Sequence, residues 1–160
     1  MSVMTNKEIK IAYQEFDSLN ELSPEDFRLA SAAIEAIESS YAPYSNFNVG
    51  AAVMYDNGEI VKGSNQENAA YPSGICAERT ALFYASAQCP DKPIIALAIA
   101  AKQNGELCTN PVAPCGACRQ VMIQYQIKGG QPIKIILVGA NKILKFDRVE
   151  SLLPFVFDNI

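Results

Sequence analysis

A chain of 160 residues with 49% hydrophobic and 19% charged side chains has the length of one domain and enough apolar content to build a core. Its net charge of −4 weighs against partners held through many phosphates, which select clustered Lys and Arg, so a small, weakly charged ligand is expected and a nucleic-acid partner is not. Residues 1–20 lack the apolar core of a signal peptide, and the longest apolar run, residues 94–101, is too short to span a bilayer; a cytoplasmic location without a membrane partner is therefore expected.

In chain order, Ile9, Ile11 and Tyr13 alternate weakly, as an edge strand would. Ser23-Pro24-Glu25-Asp26 then predicts a helix start, with Ser23 as cap, Pro24 at the first helical position and acids in the first turn. Phe27, Ala30, Ile34 and Ile37 continue it as an apolar stripe to about Ser39. Residues 48–55 and 59–64 are β-rich and flank Asp56-Asn57-Gly58, which predicts an antiparallel hairpin. Residues 76–88 and 115–127 have helical patterns, and residues 94–101 and 133–138 read as strands buried on both faces. This alternation implies helices on a sheet with some parallel pairing. Gly139-Ala140-Asn141 is too short for a crossover, so a final strand at 142–146 should turn back antiparallel and make the sheet mixed. Asp147 is expected to cap a last helical turn through Leu153, which Pro154 ends.

The five cysteines are an odd number, which favours metal binding or catalysis over a disulfide framework. With no histidine in the chain, a metal must be held by Cys, Asp or Glu. Cys115 and Cys118 lie three apart at a predicted helix start, so both sulfurs can face one point. Cys76 begins the other predicted helix, and apposing the two helix starts would give Zn²⁺ three sulfur ligands with its fourth position left for water. A C-x-x-C pair alone is weakly specific, since redox proteins and structural zinc sites also carry it. Glu78, two residues after Cys76, adds a carboxylate that can move protons beside such a metal. Three thiolates over-neutralise the dication, so positive charge should sit nearby. Arg79, Arg119 and the two helix N-termini can supply it, and at least one of these arginines is expected to hydrogen-bond a ligand sulfur.

At these residues the chain resembles the zinc-dependent cytidine deaminases, specifically their small homotetrameric three-cysteine class. The similarity runs from about Tyr41 through Phe157. It is carried jointly by Tyr41-Ala42-Pro43-Tyr44-Ser45-Asn46-Phe47, Asn65-Gln66-Glu67-Asn68-Ala69-Ala70-Tyr71, Cys76-Ala77-Glu78-Arg79-Thr80-Ala81 and Pro114-Cys115-Gly116-Ala117-Cys118-Arg119-Gln120. The resemblance implies a three-layer α/β fold in a single domain of residues 1–160, with a mixed five-stranded sheet, helices on both faces and residues 1–22 as an N-terminal extension. It implies hydrolytic deamination of cytidine and 2′-deoxycytidine to the uridines with release of ammonia, a reaction of pyrimidine salvage. One Zn²⁺ per subunit would be held by Cys76, Cys115 and Cys118, with Glu78 as the proton carrier. Asn65 and Glu67 would hold the ribose hydroxyls, Phe47 would pack on the nucleoside, and the Ala77 backbone would help read the pyrimidine. The tail Leu152-Leu153-Pro154-Phe155-Val156-Phe157 resembles an ending in which an aromatic, here Phe157 or alternatively Phe155, reaches the active site of a neighbouring subunit. Sites shared within a homotetramer would follow.

Three other readings compete. A structural Cys₄ site would recruit Cys89 or Cys108, a redox protein would use Cys115 and Cys118 as a dithiol, and a related deaminase would act on an aminopyrimidine nucleoside such as blasticidin S.

Overall fold

Ser23 opens the first helix by accepting a hydrogen bond from the Asp26 amide at 3.2 Å, with Pro24 at the first helical position where a missing N–H costs nothing. The computed structural model describes residues 4–158. Helix α1 (Pro24–Ala36) tightens into a 3₁₀ turn over Ile37–Ser39. The predicted hairpin follows as β2 (Phe47–Tyr55) and β3 (Ile60–Ser64), antiparallel, with Gly58 at φ 82° in its turn. Next come α2 (Ala77–Gln88), β4 (Ile94–Gln103), α3 (Gly116–Gly129), β6 (Lys134–Val138) and β7 (Ile143–Phe146). The left-handed Gly130, φ 67°, terminates α3.

Among the described residues the sheet has seven strands rather than the expected five. The two additional ones are short: β1 (Gln14–Phe16) lies antiparallel to β7, and β5 (Glu106–Leu107) folds back on β4 over Asn104-Gly105, both at positive φ. The strand order is β1-β7-β6-β4-β2-β3, with β5 paired to the end of β4. Only β4 and β6 run parallel, joined across α3; the remaining pairs are antiparallel, so the sheet is mixed as predicted.

Two expectations need correction. Ile9, Ile11 and Tyr13 do not form the edge strand; pairing begins at Gln14, and β7, which ends at Phe146 opposite Tyr13, offers no partner to Ile9 or Ile11. Tyr13 instead sets its ring 5.5 Å from that of Phe146. Asp147 does not cap the last helical turn, a 3₁₀ turn over Val149–Ser151. The free amide of Val149 is taken by Gln126 Oε1 at 3.1 Å, which leaves a cap nothing to satisfy.

The alternation of strand side chains divides the core into two layers. Ala51, Val53 and Tyr55 of β2, with Leu97 and Ile99 of β4, face α2 and α3. Ala52 and Met54, with Ala96, Ala98 and Ala100, face α1, whose Ala30 and Ala33 complete a surface of small side chains. Helices thus cover both faces, in three layers. Two glycines set how closely they approach. A Cβ on Gly50 would lie 2.1 Å from the Ala33 carbonyl oxygen of α1, and one on Gly63 would lie 2.5 Å from the Ala81 nitrogen of α2. Gly63 therefore fixes the seat of the helix that begins beside Cys76.

On the α1 face, Asp26 is 1% exposed and is paired with Lys134 of β6 and with Lys145 of β7, the latter at 2.8 Å. Burial opposes its ionisation, but hydrogen bonds and charge from the two lysines outweigh burial and hold its carboxyl below the usual range. A depressed carboxylate stabilises the fold above its unfolded pKa, and that stabilisation is lost as pH falls through the folded value. Asp26→Asn should therefore cost roughly 3 kcal/mol at neutral pH. Urea unfolding of both proteins at pH 7 and pH 3 checks it, with the gap expected to narrow in acid.

Candidate metal centre and substrate cleft

The starts of α2 and α3 lie side by side on one face of the sheet. Cys76 and Cys115 occupy the residue just before each helix, where their carbonyls accept the first helical hydrogen bonds, from Thr80 and Arg119, each at 3.0 Å. Neither sulfur caps its own helix, so both remain free to point outward from the turns. Cys118 lies one turn into α3 and is fully buried. Its Sγ is 3.5 Å from that of Cys115, and all three sulfurs fall within 4.8 Å of one another. Tetrahedral zinc with sulfur at about 2.3 Å separates its ligand sulfurs by about 3.8 Å, so the cluster has the right size and donor chemistry for that metal. Cys89 and Cys108 are outside the cluster. Cys89 ends α2, the whole length of that helix from Cys76, which removes the Cys₄ arrangement through it.

The electrostatics of the pocket match a cation site. Hydrogen bonding from Cys118 and, against the effect of burial, from Arg79 brings the Cys76 thiol down to about 5. Cys118 moves the other way, pushed up by its bond to Cys76, by burial and by the Glu78 charge. The bond between Cys76 and Cys118 favours the charged form of the first and the protonated form of the second, and a dication between them would favour the thiolate of each. Arg79 Nη2 donates to Cys76 Sγ at 3.7 Å, while its buried Nε has no partner. Arg119 goes elsewhere: Nε donates to the Pro114 carbonyl at 2.8 Å and Nη1 to the Leu152 carbonyl at 2.7 Å. Glu78, in the first turn of α2, is 5% exposed, and its carboxyl is raised above the usual range by burial and by the charge on Cys76.

Cys76 and Arg79 line a cleft of ≈ 510 Å³ together with residues that include Tyr44, Asn65, Glu67 and Tyr71. Asn65 accepts from the Val49 amide at 2.8 Å and donates to the Phe47 carbonyl at 2.9 Å. Glu67 accepts from the Tyr44 amide at 3.0 Å and from the amide and hydroxyl of Ser45. The Ser45 hydroxyl and Tyr44 amide hold its carboxyl below the usual range. Phe47, half-buried at the start of β2, is tied to this network through its backbone. Ala77 is buried at the start of α2. Phe157 is 67% exposed and Phe155 is 84% exposed; neither lines the cleft of its own chain.

The buried polar bonds along α3 were not read from the sequence. Gln126 is the clearest: it falls four residues beyond the buried Met122, so its amide had to find partners inside the protein. Those partners are the amides of Ile133 and Val149 and the Glu150 carboxylate.

Residues 23–130 match the family model described as the cytidine and deoxycytidylate deaminase zinc-binding region. The chain belongs to that deaminase family. A cytidine deaminase of Sporosarcina psychrophila is 39% identical over 130 residues, covering 81% of this chain and 89% of that protein. One from Halalkalibacterium halodurans is 46% identical over 96 residues, 60% of this chain and 68% of its own. Among solved structures, the cytidine deaminase of Burkholderia pseudomallei aligns with a TM-score of 0.67 at 40% identity, covering 81% of this chain and 97% of that one. The fold is that of the deaminases, and zinc is the cofactor that the three-sulfur cluster fits.

Removing a group that supports a metal ligand commonly costs about 10–100-fold in metal affinity. Arg79→Ala should weaken zinc binding by that order, measured by competition with a chromophoric chelator.

Proposed function

We propose that this deaminase hydrolyses cytidine and 2′-deoxycytidine to uridine and 2′-deoxyuridine, releasing ammonia. The observation that carries the reading is Glu78, a buried carboxyl with a raised pKa beside three converging cysteine sulfurs, one of which, that of Cys76, belongs to a residue lining a nucleoside-sized cleft. Zinc held by Cys76, Cys115 and Cys118 supplies Lewis acidity that lowers the pKa of water at this point. Glu78 takes a proton from the attacking water, passes it to N3 of the pyrimidine, and assists departure of the amine. Arg79, hydrogen-bonded to Cys76, draws electron density from the thiolate set.

The cleft walls suit a nucleoside. The Asn65 amide and Glu67 carboxylate keep unused hydrogen-bonding capacity beyond their bonds to the 44–49 segment, and on this reading they spend it on the ribose hydroxyls. Phe47 packs against the nucleoside, and the backbone at Ala77 contacts the pyrimidine. The exposed tail supports a further step, in which Phe157, or Phe155 in its place, covers the active site of a neighbouring subunit in a homotetramer. The family match starting at residue 23 supports reading residues 1–22 as an extension of one deaminase-like domain. Among the described residues no helix is long and apolar enough to cross a membrane, which is compatible with cytoplasmic pyrimidine salvage.

Glu78→Gln should lower kcat by roughly 10²–10⁴-fold while zinc content stays at the parent level. The check is loss of cytidine absorbance and ammonia release across cytidine, deoxycytidine, cytosine and blasticidin S. No turnover of either cytidine nucleoside by the zinc-loaded parent would end the reading. For the shared site, dilution to monomer should abolish turnover, followed by sedimentation and rate at matched concentrations; an active monomer would refute it.

A further inference from the structure

The helix α3, whose first turn carries the cysteines, also holds the C-terminal segment, through three polar anchors that follow one another along that segment. Gln126 accepts from the Val149 amide and donates to the Glu150 carboxylate at 2.9 Å; Arg119 donates to the Leu152 carbonyl at 2.7 Å; Gln120 donates to the Phe157 carbonyl at 2.8 Å. Leu152, Leu153 and Val156 pack against the core between these points. Arg119 is unlike the other two because its guanidinium also holds the carbonyl of Pro114, the residue immediately before Cys115. Proline has no N–H to brace that turn, so the guanidinium bond to its carbonyl is the side-chain restraint on the residue that aims Cys115. A planar guanidinium can hold two carbonyls at fixed angles, which an ammonium cannot.

We propose that Arg119 is a positioning residue that couples the turn carrying Cys115 to the docking of residues 152–157, so that the metal geometry and the tail are set together. This rests on the reading of Cys115 and Cys118 as metal ligands and assigns Arg119 a role other than contact with sulfur. When the tail leaves, the guanidinium loses one of its two carbonyls and the Pro114 turn loses its brace. When the turn shifts, the tail loses its central anchor.

The test uses the full chain loaded with Co²⁺ in place of zinc, whose d–d absorption reports the geometry of a thiolate site, together with hydrogen–deuterium exchange over residues 152–157. Arg119→Gln is expected to raise exchange there about tenfold or more. It should also alter the cobalt spectrum and speed cobalt loss to a chelator by about fivefold or more. Arg119→Lys keeps the charge without the fork and should behave like the glutamine variant; it also carries the test if Arg119→Gln does not fold. Gln120→Ala, which frees only the Phe157 carbonyl, should loosen the end of the tail and leave the cobalt spectrum as in the parent. Unchanged exchange or an unchanged spectrum in Arg119→Gln overturns the coupling, as does parental behaviour of Arg119→Lys. A parent protein that takes up neither cobalt nor zinc fails the metal reading itself, and the exchange measurement then decides separately whether Arg119 anchors the tail.

Discussion

Three sulfurs brought within a few ångström of one another, two of them at helix starts, create a concentration of developing negative charge that only a cation can satisfy. Much of one face of the sheet is arranged around that demand. Two helices begin beside the cluster and bring the positive ends of their dipoles to it, and Arg79 donates a guanidinium hydrogen bond to the Cys76 sulfur. The same crowding explains why Cys76 and Cys118 are driven in opposite directions: each is the other's hydrogen-bond partner, so the bond that favours one thiolate disfavours the other.

Holding the sulfurs there depends on how closely α2 and α3 seat on the strands. Gly63 lets the backbone of α2 come down onto β3, and the parallel β4–α3–β6 unit places the start of α3 beside it. The opposite face has a different task. Alanines on α1 and β4 allow a close helix–sheet contact, and Asp26 ties the start of α1 to β6 and β7. One face carries the chemistry, and the other clamps the strands on which that chemistry rests.

The sequence made the regular elements and the sulfur cluster legible because both are written in short-range patterns. Helical stripes, the Asp56-Asn57-Gly58 turn and the three-residue spacing of Cys115 and Cys118 each concern neighbours along the chain. What escaped was decided by partners distant in sequence. Residues 9–13 alternate like a strand, but β7 ends opposite Tyr13 and gave Ile9 and Ile11 no partner. Asp147 had the chemistry of a cap, but Gln126 reached the amide first. Both arginines had reason to approach sulfur, yet only the backbone path decided that Arg79 would meet Cys76 while Arg119 would meet two carbonyls. The engagement of Asn65 and Glu67 with the 44–49 segment was equally invisible, since their residue types announce polarity and not its target.

The mixed sheet also has a consequence for the order of assembly. The central strand β4 pairs with β2 before it in the chain and with β6 beyond α3, so Cys76 and the Cys115/Cys118 pair are delivered by segments on either side of it. These contacts are non-local and close slowly relative to the helices themselves. The three sulfurs are therefore brought together by tertiary structure and not by any one local segment. Unlike a zinc finger, in which metal organises a chain too small to fold alone, this protein sets its three sulfurs on elements that bury an extensive core of their own.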